Sequence, residues 1–317
     1  MLFVPILSFA LCWCLLAVLL RSGVAERLAM DEPNHRSLHK AAIPRIGGLG
    51  ILAGAVAGLS ALMPLLWLVA ALGVLSFLDD RRGVPILVRF FAHFAAAAVW
   101  VGIMGAWPPA LAAFAILLLV WMTNLFNFMD GADGLAGGMA VTGFSAYAAA
   151  AWLGGQAGFA LLCAAVAAAS LAFLRFNFPP ARVFMGDVGA ISLGFLAGAL
   201  GLLGWRQGFW PAWFPLLVFS PFIVDATLTL LRRMLSGKRF WQAHSEHYYQ
   251  RLLHMGWSQR RMVLAEYALM IACAVAALAL VHASTVMQVL ILAGWGLAYG
   301  ALAWRIDTAW RGQEGMA

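Results

Sequence analysis

The sequence predicts an all-α polytopic membrane protein with about eleven transmembrane helices. Hydrophobic residues make up 64% of the 317 residues, and charged residues only 10%. Soluble domains carry about 25% charged residues, so this composition excludes an ordinary globular protein. Long stretches contain no Asp, Glu, Lys or Arg. These stretches are residues 1–20, 46–78, 90–129, 134–174, 188–205, 207–224 and 267–304.

The lengths of these stretches set the number of spans. A helix that crosses a bilayer needs about 20 apolar residues, so the stretches near that length are single spans. Each longer stretch is interrupted near its middle by Pro, Gly or small polar residues, which mark turns. The interruptions are Met63-Pro64, Trp107-Pro108-Pro109, Gly154-Gly155-Gln156 and His282-Ala283-Ser284-Thr285. Each longer stretch therefore predicts two helices joined by a tight turn, within a single integral membrane domain over residues 1–317.

The basic residues give the orientation. With the N-terminus outside, the inner segments are 21–45, 79–89, 124–136, 175–187 and 231–260. Nineteen of the 20 Lys and Arg residues lie in or directly beside these segments and the C-terminal tail, and only Arg206 does not. Because basic residues concentrate in cytoplasmic loops, this face is predicted to be cytoplasmic. The basic cytoplasmic loops of a membrane protein then explain the net charge of +7, and no nucleic-acid partner is expected.

The acidic residues collect on the same face. Eleven of the 13 lie in the inner segments or the tail, and Asp225 and Glu266 lie close to them. A transporter is expected to carry ionisable residues near the middle of its spans, and the charge-free stretches offer none. The distribution favours an enzyme that joins a soluble substrate to a lipid substrate where the cytosol meets the bilayer.

The first inner segment is basic and irregular. It contains Asn34, Arg36 and His39, followed by Arg45 before a Gly pair. Basic groups at this depth predict contacts to anionic headgroups or phosphates. A zinc site at His35 and His39 is the weaker alternative, because no third ligand lies nearby.

The second and fourth segments carry isolated carboxylates. Asp79-Asp80 ends an apolar stretch, and such a pair binds a divalent cation, positions a base, or forms salt bridges with neighbouring arginines. Arg89, a few residues later, could face a phosphate. Asp187 lies between Gly186 and Gly189 at the start of a span, where it could bind Mg²⁺ or cap the helix.

The third segment has a polar residue every third position: Asn124, Asn127, Asp130 and Asp133. On a helix these form one polar stripe, and the Asp-Gly pairs that follow free backbone amides for anion contact. An EF-hand is excluded because its closing Glu is missing.

The fifth segment contains His244, His247 and Arg251, which are hydrogen-bond donors suited to phosphate oxygens. A basic amphipathic segment on the membrane surface is the alternative. Together the five segments supply carboxylates for Mg²⁺ and cations for phosphates. This combination is typical of phosphoryl transfer.

These motifs resemble, in order and spacing, those of the polyprenyl-phosphate N-acetylhexosamine-1-phosphate transferases, glycosyltransferase family 4. The resemblance implies Mg²⁺, with Mn²⁺ as a substitute, bound by Asp187 and Asn127. It implies catalytic roles for Asp79, Asp80, Asp187, His244 and His247. The substrate-binding residues it implies are Asn34, Arg36, His39, Arg45, Asn124, Asp130, Asp133 and Arg251.

The resemblance also implies the reaction. Undecaprenyl phosphate would attack a UDP-N-acetylhexosamine in the bacterial inner membrane and release UMP. The histidine segment departs from the consecutive histidines of the peptidoglycan enzymes and is closer to the O-antigen and surface-glycan branch. The donors of that branch are UDP-GlcNAc or 6-deoxy relatives such as UDP-FucNAc and UDP-QuiNAc. The implied assembly includes a homodimer as one option.

Three alternatives follow from the same residues. A phospho-MurNAc-pentapeptide transferase of peptidoglycan synthesis belongs to the same family. An intramembrane prenyltransferase would need a further Asp three or four residues after Asp79-Asp80, where the sequence has Arg, Gly and Val. A lipid-linked sugar transporter would need a polar path across the bilayer.

Overall fold

A computed structural model describes residues 3–32, 42–239 and 244–314. Apart from a two-stranded ribbon, its regular structure is helical, which confirms the predicted all-α polytopic fold. The elements in chain order are α1 (Phe3–Arg21), α2 (Val24–Leu28), β1 (Met30–Asp31), β2 (Ile43–Pro44), α3 (Gly47–Leu59), α4 (Met63–Arg82), α5 (Ile86–Ile103), α6 (Pro109–Phe128), α7 (Leu135–Leu153), α8 (Ala157–Asn177), α9 (Gly186–Arg206), α10 (Trp213–Val218), α11 (Ser220–Leu235), α12 (Tyr248–His254), α13 (Gln259–Leu280) and α14 (Thr285–Glu314).

The helices follow the predicted spans. Within the described residues, eight helices are long and apolar enough to cross a bilayer, namely α1, α4, α5, α6, α8, α9, α13 and α14. The remaining predicted spans correspond to the short helix α3, to α7, and to the pair α10 and α11. All four predicted turns separate consecutive helices, because α4 begins at Met63, α6 at Pro109, α8 at Ala157 and α14 at Thr285.

Helix α9 is the central helix of the bundle. Every residue from Val188 to Leu202 is buried, and α9 packs against α3, α4, α6 and α7. Small residues allow this close packing: a Cβ added at Gly194 would lie 2.5 Å from the carbonyl oxygen of Met122. Since α9 is enclosed on all sides, its first residues are held firmly at one end of the bundle.

Three aromatic side chains donate hydrogen bonds to backbone carbonyls of α9. Trp100 Nε1 donates to Ala199 O at 3.2 Å, and Tyr147 Oη donates to Ala197 O at 3.0 Å. Trp210 Nε1 donates to Gly201 O at 3.1 Å. Buried indole and phenol groups need such partners, so these bonds connect α9 to its neighbours without any charged side chain.

The predicted span 207–224 is where the structure differs most from the sequence prediction. The chain forms a short helix, α10, breaks at Phe219, and continues as α11 to Leu235. Pro221 in the first turn of α11 accounts for the new helix start, because Pro suits the first turn but not a helix interior. As a result α11 carries Asp225, Arg232 and Arg233 on helix turns rather than in a loop.

The ends of α1, α4, α6, α8 and α11 meet at one end of the bundle, which we call the loop face. The strands β1 and β2 pair there in antiparallel fashion. The segment after β2 also pairs with the segment before α9: Phe184 N donates to Pro44 O at 2.9 Å. Gly47 N and Gly48 N donate to Phe184 O and Met185 O, at 2.9 and 2.8 Å. These bonds bring the first and fourth loops together.

Candidate active site

Three carboxylates from two helices lie together at the loop face. Asp79 and Asp80 end α4, and Asp187 begins α9. The backbone N–H of Asp187 donates to Asp80 Oδ2 at 3.1 Å. Gly186, with φ of 68°, lies so close that an added Cβ would be 3.0 Å from Asp80 Oδ2. The close contact between α4 and α9 therefore favours glycine at position 186. Through its hydrogen bond, Asp80 holds the backbone of Asp187 in place.

Two arginines accompany these carboxylates. Arg89 Nη1 lies 2.5 Å from Asp79 Oδ2 and 3.5 Å from Asp187 Oδ2. Arg45 Nη1 lies 3.7 Å from Asp80 Oδ1, and its Nη2 lies 2.5 Å from Asp31 Oδ1. Both arginine side chains remain about one third exposed. They balance part of the carboxylate charge and leave an arginine surface that can also reach a phosphate.

The exposure of the three carboxylates differs. The side chain of Asp80 is 2% exposed and that of Asp79 is 11% exposed. Both oxygens of Asp79 already accept hydrogen bonds, from Arg89 and from Val84 N. Asp187 is 24% exposed and lies at the surface of a cavity. Of the three, Asp187 is the one best placed to contact a ligand.

The polar stripe of the third segment divides into two parts. Asn124 and Asn127 line the cavity beside Asp187. Asn124 Nδ2 donates to Val120 O at 2.7 Å and lies 3.4 Å from Nδ1 of His93, a second cavity residue. The stripe predicted on the last turn of α6 is therefore present, and its two amides share the cavity with the carboxylate.

The two aspartates of the stripe lie beyond the end of α6. Burial raises the pKa of Asp130 well above its usual value, and the nearby carboxylates of Asp187 and Asp80 raise that pKa further. Asp133 Oδ2 accepts a hydrogen bond from Ala181 N at 2.9 Å, which holds the third and fourth loops together. Asp130 thus belongs to the carboxylate cluster, whereas one oxygen of Asp133 serves a loop contact.

The histidine loop, which we define as residues 244–247, also lines this cavity. The rings of His244 and His247 lie 4.9 Å apart, centroid to centroid. The ring of His247 stacks between those of Phe128 and Tyr249, at 6.3 and 5.9 Å. Burial, followed by the nearby His247 and Arg233, lowers the pKa of His244 to about 4. His244 is therefore neutral at pH 7 and offers a hydrogen bond rather than a charge.

Asp225 holds the histidine loop in place and was missing from the residues predicted from sequence. His247 Nδ1 lies 3.1 Å from Asp225 Oδ1. The same carboxylate accepts hydrogen bonds from Tyr248 N at 2.9 Å, Tyr249 N at 3.1 Å and Thr229 Oγ1 at 3.2 Å. With Nδ1 engaged, Nε2 is the nitrogen of His247 that remains for a substrate. The signal in the sequence was a carboxylate in an otherwise uncharged helix start.

One cavity of about 630 Å³ joins these groups. Its polar end contains carboxylates, amides, an arginine and histidines from α4, α5, α6, α9 and the histidine loop. Its other end is apolar and lies between the same helices. The polar lining consists of Ser76, Asp79, Arg89, His93, Asn124, Asn127, Asp187, His244 and His247, and the apolar lining includes Leu75, Ile86, Phe90, Leu117, Val120, Trp121, Phe128, Ile191 and Leu230. We call it the transfer cavity.

Not every predicted residue lines the transfer cavity: Asp80, Arg45, Asp130 and Asp133 lie among the loop-face contacts described above and are not part of its lining. Arg251 points into a different region, where its Nη1 lies 2.9 Å from Asp307 Oδ1 and its Nε donates to Glu246 O at 2.8 Å. Asn34, Arg36 and His39 lie outside the described residues.

The oxygen donors of the site fit a metal ion whose coordination is completed by substrate and water. Among the described residues, no group of three or more His, Cys, Asp and Glu forms a closed metal site. Mg²⁺ usually takes one or two carboxylates, keeps several waters and binds substrate phosphates. Asp187 and Asn127 both face the transfer cavity and are the oxygen donors that suit this role. The surrounding carboxylates, which raise the pKa of Asp130, favour a nearby cation.

Comparisons with known proteins give the family. Residues 62–204 match glycosyl transferase family 4. The chain is 29% identical over 310 residues to the probable undecaprenyl-phosphate N-acetylglucosaminyl 1-phosphate transferase of Bacillus subtilis (strain 168), an alignment that covers 88% of this chain and 86% of that protein.

Relatives of a second type match as well. The phospho-N-acetylmuramoyl-pentapeptide-transferase of Geobacillus kaustophilus (strain HTA426) is 33% identical over 269 residues, or 72% of this chain and 81% of that protein. The enzyme of the same name from Geobacillus thermodenitrificans (strain NG80-2) is 37% identical over 163 residues, about half of each chain. The family match includes the carboxylates of α4 and α9 and the stripe of α6. The chain is therefore a membrane phosphotransferase that belongs to glycosyl transferase family 4.

Proposed function

We propose that this enzyme transfers an N-acetylhexosamine 1-phosphate from a UDP-N-acetylamino sugar to undecaprenyl phosphate, releasing UMP. The observation that carries the proposal is the transfer cavity, in which polar groups suited to phosphates and apolar side chains of membrane helices line one space. A site of this kind gives a soluble diphosphate and a lipid phosphate a place to meet. The names of the relatives in both groups agree with this substrate pair.

The apolar end of the cavity suits the lipid substrate. Leu75, Leu117 and Ile191 each lie at least one turn deeper in a bilayer-crossing helix than the carboxylate or amide side chains that the same helix contributes to the cavity, so an isoprenoid chain between them stays at membrane depth. The lipid phosphate would then lie beside Arg89. We assign the loop face to the cytoplasmic side of a bacterial inner membrane, because nearly all basic residues lie there.

The polar end of the cavity suits the sugar nucleotide. Neutral His244 and the Nε2 of His247 are hydrogen-bonding groups for the diphosphate oxygens. Asn124 and Asn127 line the same cavity. Arg45 and Asp130 lie beside the carboxylate cluster at the edge of this end.

The chemical step is a substitution at phosphorus. An oxygen of the lipid phosphate attacks the sugar-linked phosphorus of the donor and forms a new P–O bond. The bond from that phosphorus to the bridging oxygen breaks, and the electron pair leaves with UMP. The lipid phosphate is already ionised at neutral pH, so no base is needed. Asp79, whose two oxygens accept hydrogen bonds from Val84 and Arg89, serves to orient Arg89 instead.

A divalent cation would be held by Asp187, with Asn127 as second ligand. Bound there, Mg²⁺ or Mn²⁺ would neutralise the charge that develops on the phosphate oxygens of the departing UMP. Asp80 keeps Asp187 in place through the backbone N–H of that residue. Arg45 and Arg89 supply the remaining positive charge.

The histidine loop supports a role in O-antigen or related surface-glycan synthesis. Only His244 and His247 occupy positions where the peptidoglycan enzymes have consecutive histidines, and Tyr249 and Gln250 follow. This favours UDP-GlcNAc or a 6-deoxy relative such as UDP-FucNAc or UDP-QuiNAc as donor. The phospho-MurNAc-pentapeptide transferases among the relatives favour a second candidate, UDP-MurNAc-pentapeptide.

The test is UMP release by purified enzyme given undecaprenyl phosphate, Mg²⁺ and a panel of these donors. We expect release that requires both the lipid phosphate and one of the N-acetylamino sugars. Release with UDP-MurNAc-pentapeptide alone would select the second candidate. Well-folded enzyme that releases no UMP from any donor, but moves a lipid-linked sugar across proteoliposomes, would contradict the proposal.

A further inference from the structure

A second concave region lies on the loop face, on the other side of the histidine loop. It has a volume of about 790 Å³ and shares no lining residue with the transfer cavity. The end of α11, the histidine loop, α12 and the end of α14 surround it. Its charged lining consists of Arg232, Arg233, Lys238, Arg251, Arg311, Glu246 and Asp307. We call it the basic cavity.

The ion pairs inside the basic cavity leave an excess of positive charge. Asp307 accepts hydrogen bonds from both Arg232 and Arg251. Glu246 pairs with Arg233 at 2.5 Å and with Lys238 at 3.0 Å. Two carboxylates are thus paired with four cations, and Arg311 is a fifth cation. The lining of the basic cavity therefore has a formal charge of +3. Cations held this close repel one another unless an anion joins them.

Arg233 gives an independent sign of an incomplete site. Its side chain is 7% exposed, and its Nη atoms bond Glu246 and Arg239 O. Its Nε has no hydrogen-bond partner among the described residues. A buried donor without a partner is unfavourable, and an anion oxygen or an anion-bound water in the cavity would supply one.

The surroundings favour a lipid as the source of that anion. Leu235, in the wall of the cavity, is 85% exposed, and neighbouring Met234 is 53% exposed. Trp310 also lines the cavity. Exposed apolar side chains and Trp beside arginines mark the depth of lipid headgroups. Basic pockets between membrane helices bind such headgroups.

We propose that the basic cavity is a second anion site, which binds the phosphate group of an anionic phospholipid. The inference is independent of the transfer reaction, because it concerns binding at residues outside the transfer cavity. The same chemistry would accept a free phosphate compound, so both sources need to be compared.

The test measures thermal unfolding of the full chain in neutral detergent without divalent cations, titrated with phosphatidylglycerol, phosphatidylcholine or inorganic pyrophosphate. We expect a saturable rise in Tm with phosphatidylglycerol and none with phosphatidylcholine. In the double variant Lys238→Gln, Arg311→Gln, the half-saturating phosphatidylglycerol concentration should rise at least about tenfold. The matched control removes two exposed charges of the same face outside the cavity, Arg260→Gln with Arg305→Gln, and should shift it less than about twofold.

Three results decide the matter. Equal effects of the two double variants would overturn the proposal, because the lipid would then respond to the charge of the whole face. An absence of saturable stabilisation by any probe would overturn it as well. Stabilisation by pyrophosphate instead of lipid, lost in the cavity variant alone, would support the site with a soluble phosphate as its source. If the double variant does not fold, Ser236→Asp, an exposed lining residue, introduces a repelling charge and decides in its place.

Discussion

Asp225→Asn tests whether the histidine loop depends on a carboxylate behind it. The carboxylate accepts hydrogen bonds from His247, Tyr248, Tyr249 and Thr229. Asparagine keeps the shape but replaces one acceptor oxygen with an NH₂ group that can only donate. In either orientation of the amide, at least one buried donor of the loop then faces another donor.

The magnitude follows from these contacts. Asp225 is 7% exposed, so solvent does not replace the lost bonds. Leaving a buried donor unsatisfied costs about 1–3 kcal/mol, and losing a charged acceptor costs a similar amount. If about 2–4 kcal/mol of this combined cost is lost from the interaction that holds His247 against the donor substrate, kcat/KM for UMP release falls roughly 30- to 1000-fold.

The assay is UMP release at several donor concentrations, well below the unfolding temperature of each variant. Thr229→Val is the matched control, because it removes one bond to the same carboxylate without touching the histidine loop. We expect the control to lose less than about tenfold in kcat/KM, because His247, Tyr248 and Tyr249 all keep their bonds to Asp225. Folded Asp225→Asn enzyme with the kcat/KM of the control would refute the positioning role.

Three further predictions concern the metal, the packing and the pH response. Asp187→Ala should abolish Mg²⁺-dependent UMP release, and unchanged turnover across a Mg²⁺ titration would exclude Asp187 as ligand. Gly48→Ala should lower Tm by several degrees, because the new Cβ would lie 2.2 Å from the backbone nitrogen of Gly189, whereas Gly296→Ala, with open space around it, should not. The pKa of His244 is about 4, below its unfolded value near 6.5. Between pH 4 and 6.5 the folded chain therefore binds fewer protons than the unfolded chain. The stability that this group contributes above pH 6.5 is lost as the pH falls towards 4. His244→Gln should reduce this acid-induced loss of stability, measured as Tm at a series of pH values. The same pH dependence in the variant and the parent would contradict the role of His244.

The helices and their turns were predictable because they depend on local properties. Apolar length and the position of Pro64, Pro109 or Gly155 decide where a span begins and ends, and the structure follows them. The break at Phe219 was not predicted. Pro221 was present in the sequence, but whether the segment stays one helix or divides there depends on how it packs against α6, α9 and α13.

The candidate site was predictable in its residue types but not in its contacts. Asp79, Asp187 and Asn127 are polar residues beside long apolar runs, and packing alone does not explain them. The sequence could not tell that Asp225 supports His247, because 22 residues separate them. It also could not tell that Arg251 turns towards Asp307, since that contact depends on where α14 ends.

The backbone pairing between the first and fourth loops has a consequence for biosynthesis. Pro44, Gly47 and Gly48 bond to Phe184 and Met185, about 140 residues later in the chain. During synthesis α3 enters the bilayer long before its partner segment leaves the ribosome. The early loop therefore waits, with its amides satisfied by water, until α9 has been inserted. Asp187 therefore reaches its final position only after more than half of the chain has been made.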